Sequence, residues 1–91
     1  MKSILQENKE CLVCRSTNVA LHHVFFGTAN RKKSDEYGLV VFLCQRHHNT
    51  SNAGVHFNKQ LDLKIKQMAQ RKFEEIYGHE KFMQEFGRNW L

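Results

Sequence analysis

Apolar positions along this chain change their rhythm from strand to helix as it proceeds. Val19 to Phe26 is rich in β-branched and aromatic residues, and Leu39 to Leu43 is an unbroken apolar run of strand length. From Lys59 to Tyr77 the residues Leu61, Ile65, Met68, Ala69, Phe73 and Ile76 recur at steps of three and four, the stripe of an amphipathic helix that Gly78 closes as a left-handed cap. A short helical turn from His79 to Phe86 offers Phe82, Met83 and Phe86 and stops at Gly87, after which Trp90 and Leu91 are expected to pack back on the core. Between the two strands, Gly27 to Gly38 reads as a polar loop carrying Arg31, Lys32 and Lys33. A loop that long in so small a domain is usually functional. If it simply returns the chain, the strands are antiparallel. Residues 45–52 read as a polar helix broken at Gly54, and Val55 to Asn58 as a connector. Residues 1–10 form a loose lead-in, or a short helix docking through Ile4 and Leu5.

This order of elements predicts one α+β domain over residues 1–91, with a motif-bearing core over 11–58 and a helical part over 59–91. At 91 residues the chain buries only about 60–65% of its unfolded surface, so a staple is expected. Three cysteines cannot all pair as disulfides, and the odd count points to thiolate ligands in a reducing compartment. No signal peptide or membrane span is legible, so the expected location is cytoplasmic, with no membrane partner. A net charge of +5 and a pI near 9.3 favour a polyanionic partner, a signal shared by many soluble domains. There is no low-complexity segment and no internal repeat.

The cysteines identify the staple. Cys11-Leu12-Val13-Cys14 and Cys44-Gln45-Arg46-His47 are two half-sites of ligand-x2-ligand spacing about thirty residues apart, and together they make a Cys3His structural zinc site. Of the five histidines beside this set, His22, His23, His48 and His56 fall within the motif-bearing core. Consecutive residues on a helix diverge by about 100°, so with His47 on the zinc, His48 faces another site. Neighbours on a strand point to opposite faces, which gives His22 and His23 different jobs: one binds a metal, the other takes a proton from water as a general base. Against this stands the bland assignment of one to the surface and the other to a structural hydrogen bond. His56 is either a third ligand for that second metal or a cap or DNA contact.

Taken together, Cys11-x2-Cys14, Leu21-His22-His23-Val24 and Leu43-Cys44-x2-His47-His48 resemble the HNH, or His-Me finger, endonucleases, and most of all their phage and prophage members such as the recombination-enhancement nucleases. The resemblance spans roughly residues 11–58. It implies a zinc-stapled ββα-metal fold that cuts DNA phosphodiester bonds with one divalent cation, Mg2+, Mn2+ or Zn2+, and leaves 5′-phosphate ends. It assigns His22 and His48 as ligands of the catalytic ion and His23 as the general base, and His56 stays open between a third ligand and a cap or DNA contact. Beside that site, Arg31, Lys32 and Lys33 would neutralise backbone phosphates without reading bases. A phage or host recombination or packaging protein is the partner implied besides DNA, and the bacterial host cytoplasm the location. The chain departs from the family where asparagine commonly precedes the second strand: here the residues are Asp35-Glu36-Tyr37-Gly38, and Asn30 or Asn49 would have to substitute. The rival assignment is a non-catalytic zinc-finger module that binds nucleic acid or a protein, with its spare histidines structural.

Overall fold

A two-stranded antiparallel ladder forms the platform for everything else. In the computed structural model, which describes residues 3–48, 54 and 58–91, β1 (Val19–His23) pairs with β2 (Val40–Cys44) in the register Val19 to Cys44 and His23 to Val40. The chain continues as α1 (Thr28–Tyr37), α2 (Gln45–His48), α3 (Lys59–Tyr77) and α4 (His79–Phe86). The result is the expected α+β domain, with four helices around one small sheet. Among the described residues no helix is long and apolar enough to cross a membrane.

The first strand is shorter than its composition suggests. Beyond His23 the ladder gives way to a bend, although the Val24 amide still donates to the Leu39 carbonyl. β2 is buried on both faces, as its unbroken apolar run requires. Its outer edge is covered by residues 3–10, which are neither loose nor helical. Leu12 donates its amide to the Phe42 carbonyl, Ile4 donates to that of Gly38, and the Gln6 side-chain oxygen accepts from the Phe42 amide at 2.7 Å. A bare strand edge would leave these groups exposed to pairing with another chain.

The largest departure from expectation is α1, which occupies the stretch read as a polar loop. It has no apolar stripe, so periodicity could not reveal it. Its composition nonetheless favours helix through Ala29, Arg31, Lys32, Lys33 and Glu36. Gly27, at φ 97°, makes the entry turn, and Gly38 at φ 72° ends the helix in the left-handed conformation, its amide bonded to the Asp35 and Ser34 carbonyls. One buried side chain anchors the helix: the Ser34 hydroxyl donates to the Phe25 carbonyl at 2.7 Å and accepts from the Phe25 amide at 3.2 Å.

The α3 stripe packs as predicted through Ile65, Ala69 and Phe73, which join Val24, Phe25, Leu39, Val41 and Leu43 in one core. Asn58 caps the helix by accepting from the Leu61 amide at 3.1 Å, and Asp62 lies favourably in its first turn. Two positions of the pattern are misassigned by periodicity. Ile76 of the stripe is 51% exposed, whereas Lys66, which lies off it, is only 8% exposed. Lys66 is held by Asp62 at 2.8 Å, and its amine sits over the rings of Phe26 and Trp90.

Gly78 joins α3 directly to α4. It adopts φ 91° and ψ 161°, an extended positive-φ conformation in place of a left-handed cap, because one residue must end one helix and start the next. α4 closes the core from its far side, with Phe82 stacked among Phe25, Phe73 and Phe86. The tail is latched by Gln70, which is fully buried: its oxygen accepts from the Trp90 amide and its nitrogen donates to Asn89. Trp90 thus packs on the body as expected, while Leu91 stays 47% exposed.

Candidate metal centre and histidine cleft

The two half-sites converge. Cys11 and Cys14 lie on the turn that precedes β1, Cys44 ends β2, and His47 is on α2. The turn is tight: the Arg15 amide donates to the Cys11 carbonyl, and Arg15 takes φ 64°. One ligand atom from each of the four residues lies within 4.8 Å of the others. His47 Nδ1 is 3.2 Å from Cys44 Sγ and 3.7 Å from Cys11 Sγ, and Cys14 Sγ is 3.6 Å from Cys44 Sγ. A tetrahedron with metal–sulfur arms of ~2.3 Å and a metal–nitrogen arm of ~2 Å has edges of roughly 3.5–3.8 Å, so the four donors fit one zinc ion. Three thiols and an imidazole are also the donor types that structural zinc takes. All three cysteines are free of disulfides.

The thiols are poised unequally. Burial pushes the Cys11 thiol up, but backbone amides of Cys44, Cys14 and Val13 aimed at its sulfur more than offset this and bring it down to about 6. Cys14 is raised: the Ser16 amide favours its thiolate, yet burial and the neighbouring sulfurs of Cys44 and Cys11 outweigh it. Of these two, Cys11 is therefore the more readily presented as thiolate, the form that binds metal.

A second gathering of side chains lies at the other end of β1. Leu21, His22, His23, Phe26, Arg31 and His48 line a cleft of about 220 Å³. His22 is 3% exposed. Its ring centroid is 5.2 Å from that of His48, at an interplanar angle of 71°. Two imidazoles whose nitrogens each sit ~2 Å from a shared ion have centroids about 5 Å apart, so the spacing suits a common ligand. His22 and His23 are sequence neighbours, yet both reach this cleft, since the strand ends at His23 and the cleft wraps around that end. Arg31, brought in by α1, faces the same space. A larger hollow of about 480 Å³ between residues 3–7 and α3 contains neither histidine nor cysteine.

No family model, curated protein or solved structure matches this chain.

The remaining expected site residues fall elsewhere. His56 and Asn49 lie outside the described residues. Asn30 lines a neighbouring hollow with Phe26, Lys66 and Trp90. Lys32 is exposed on α1, whereas the Lys33 amine donates to the Glu85 carbonyl and lies 3.9 Å from the Glu85 carboxylate, tying α1 to α4. One partner was missed by sequence reasoning: Asp35 Oδ1 lies 2.5 Å from His23 Nε2. Its position just before the second strand was conspicuous, but only the helical path of α1 turns its carboxylate onto β1.

Proposed function

We propose that the protein is a metal-dependent endonuclease of HNH type that hydrolyses phosphodiester bonds in DNA. The observation that carries this reading is the shared cleft of His22, His23, His48 and Arg31 beside a separate Cys3His cluster. The Cys3His donors and the imidazoles of the cleft form two separate sets, as a folding metal and a reacting one would need. A divalent cation held by His22 and His48 would supply positive charge for a non-bridging phosphate oxygen and for the leaving 3′ oxygen. Imidazole ligands suit Zn2+ better than Mg2+, which prefers oxygen donors, so of the three cations implied by the resemblance Zn2+ fits this pair best.

The chain's own groups do the rest. Arg31 offers a planar fork of donors that matches a phosphate, and Lys32 adds charge beside it. His23 accepts a proton from water as the water oxygen bonds to phosphorus and the P–O3′ bond breaks; the departing oxygen is protonated by solvent. The cleft is open enough to admit a backbone phosphate.

A second reading is favoured by one observation. Among the described residues only the Cys3His set assembles more than two metal-ligating side chains, as a non-catalytic zinc module would. Incubation of the zinc-loaded protein with supercoiled plasmid and Mg2+, Mn2+ or Zn2+, with and without chelator, separates the two. Metal-dependent relaxation that His23→Ala abolishes supports the nuclease, and intact plasmid under every condition supports the module.

A further inference from the structure

We infer that Asp35 is the positioning residue of His23, holding its imidazole as the Nε2–H tautomer so that Nδ1 is the nitrogen left to accept a proton. The chemical consequence rests on the nuclease reading; the pairing itself does not. Four observations carry it.

The Nε2 to Oδ1 separation is 2.5 Å, and the two side chains are 14% and 43% exposed. An ionised carboxylate only accepts, so this contact places a ring proton on Nε2, and in the neutral ring the lone pair is then on Nδ1. Both partners are anchored within one residue. His23 stands opposite Val40 in the ladder, and the following amide, that of Val24, is bound to Leu39. Asp35 follows Ser34, whose hydroxyl is locked to both backbone groups of Phe25 and whose carbonyl accepts from Leu39. The pair is therefore a rigid link between the end of β1 and the last turn of α1. The same helix delivers Arg31 to the cleft, so one element sets both the phosphate-binding cation and the orientation of the base.

The arrangement also balances the proton transfer. Water gives a proton to Nδ1 as its oxygen attacks phosphorus, Nε2–H stays on the carboxylate throughout, and Nδ1–H later returns its proton to solvent. The carboxylate faces the positive charge that the ring acquires in that step, as an orienting acid does in other nucleophile-activating pairs.

The test combines a spectroscopic and a kinetic readout on the zinc-loaded full chain. Long-range 1H–15N spectra of histidine-labelled protein, recorded at alkaline pH, report which ring nitrogen of His23 carries the proton. The wild type is expected to show Nε2–H, and Asp35→Ala a mixture of tautomers. Asp35→Asn keeps the shape and serves as a second variant in case alanine loosens α1. In single-turnover plasmid cleavage Asp35→Ala is expected to lose on the order of 10²–10⁴-fold in rate with little change in DNA affinity. Asp35→Glu is expected to recover part of it. Nδ1–H in the wild type, or Nε2–H retained at full cleavage rate in Asp35→Ala, overturns the assignment. Should the wild type not cleave at all, the nuclease reading falls, and the tautomer measurement still upholds or overturns the pairing by itself.

Discussion

The Cys3His knuckle and the histidine cleft share the helix α2, which sends His47 to one and His48 to the other. They differ in closure. The knuckle supplies four ligands at tetrahedral spacing and leaves no position for a substrate. The cleft brings together two imidazoles, a guanidinium and the His23–Asp35 pair around open volume. A closed ligand set is a staple, whose worth appears as stability; an open one leaves room for water and phosphate, and its worth appears as chemistry. Damage to the first should therefore unfold the protein, while damage to the second should leave it folded.

The largest effect is expected at the knuckle. Structural zinc in small fingers contributes ~10–16 kcal/mol of apparent binding energy, as much as a small domain has in total stability. Cys44→Ser, or chelation strong enough to remove the ion, should abolish the native circular dichroism and the thermal transition. Metal analysis of the wild type should find about one zinc per chain that survives dialysis. A native melt for Cys44→Ser would remove the distinction between the two regions.

Next comes the cleft. His23→Ala should keep its fold and its DNA binding while losing ~10²–10⁴-fold in single-turnover cleavage at saturating metal. His48→Ala should instead lose catalytic-metal affinity and regain activity with excess cation. Equal and metal-insensitive losses in both variants would show that the two imidazoles do not divide the work as proposed.

Smaller still are the effects on α1, where neighbouring cations are expected to behave differently. Arg31→Glu should weaken duplex binding on the order of tenfold at low salt, whatever the sequence. Lys33→Ala should have little effect on binding but cost roughly 1 kcal/mol of stability, because its amine is bonded to the Glu85 carbonyl. Filter binding and denaturant melts of the two variants test this contrast directly.

The smallest expected effect lies away from both sites, at the corner between α3 and α4. Glu74 sits 2.7 Å from His79 Nδ1 and accepts from Gln70 at 2.8 Å. Burial raises its carboxyl, but the bonds from Gln70 and His79 outweigh this and hold it below the usual carboxylate range. A carboxyl depressed on folding adds stability that is complete above its unfolded value and lost as pH falls through the folded one. Glu74→Gln should thus cost about 0.5–1 kcal/mol near neutral pH and progressively less below ~4. A pH-independent difference in denaturant midpoint would assign the effect to packing instead.

Sequence reading performed well where a segment's chemistry is its own. The two-residue gaps of Cys11 to Cys14 and Cys44 to His47 dictate paired half-sites whatever the rest of the chain does. The Leu39 to Leu43 run can only be a strand buried on both faces. The Ile65, Ala69, Phe73 stripe commits α3 to the core. Each of these signals is contained within a few neighbouring residues.

What tertiary structure decided lies between elements. α1 shows no periodic stripe because it docks largely through polar anchors, the Ser34 hydroxyl on Phe25 and the Lys33 amine on Glu85, with Tyr37 packed against Phe73 at its end. Hydrophobic patterning cannot register such polar anchors. Lys66 departs from the solvated face since Phe26 and Trp90, distant in sequence, fold over its amine and Asp62 pairs with it. Lys33 is turned away from the basic run by a carbonyl on α4. Asp35 meets His23 only because the chain from Thr28 onward is a helix and not a loop. The sequence by itself thus determined which atoms can bind metal and which segments must be buried, since these follow from donor type and local period. Which side chain meets which across the domain follows from how helices and strands rotate against one another, and that is settled only when the core closes.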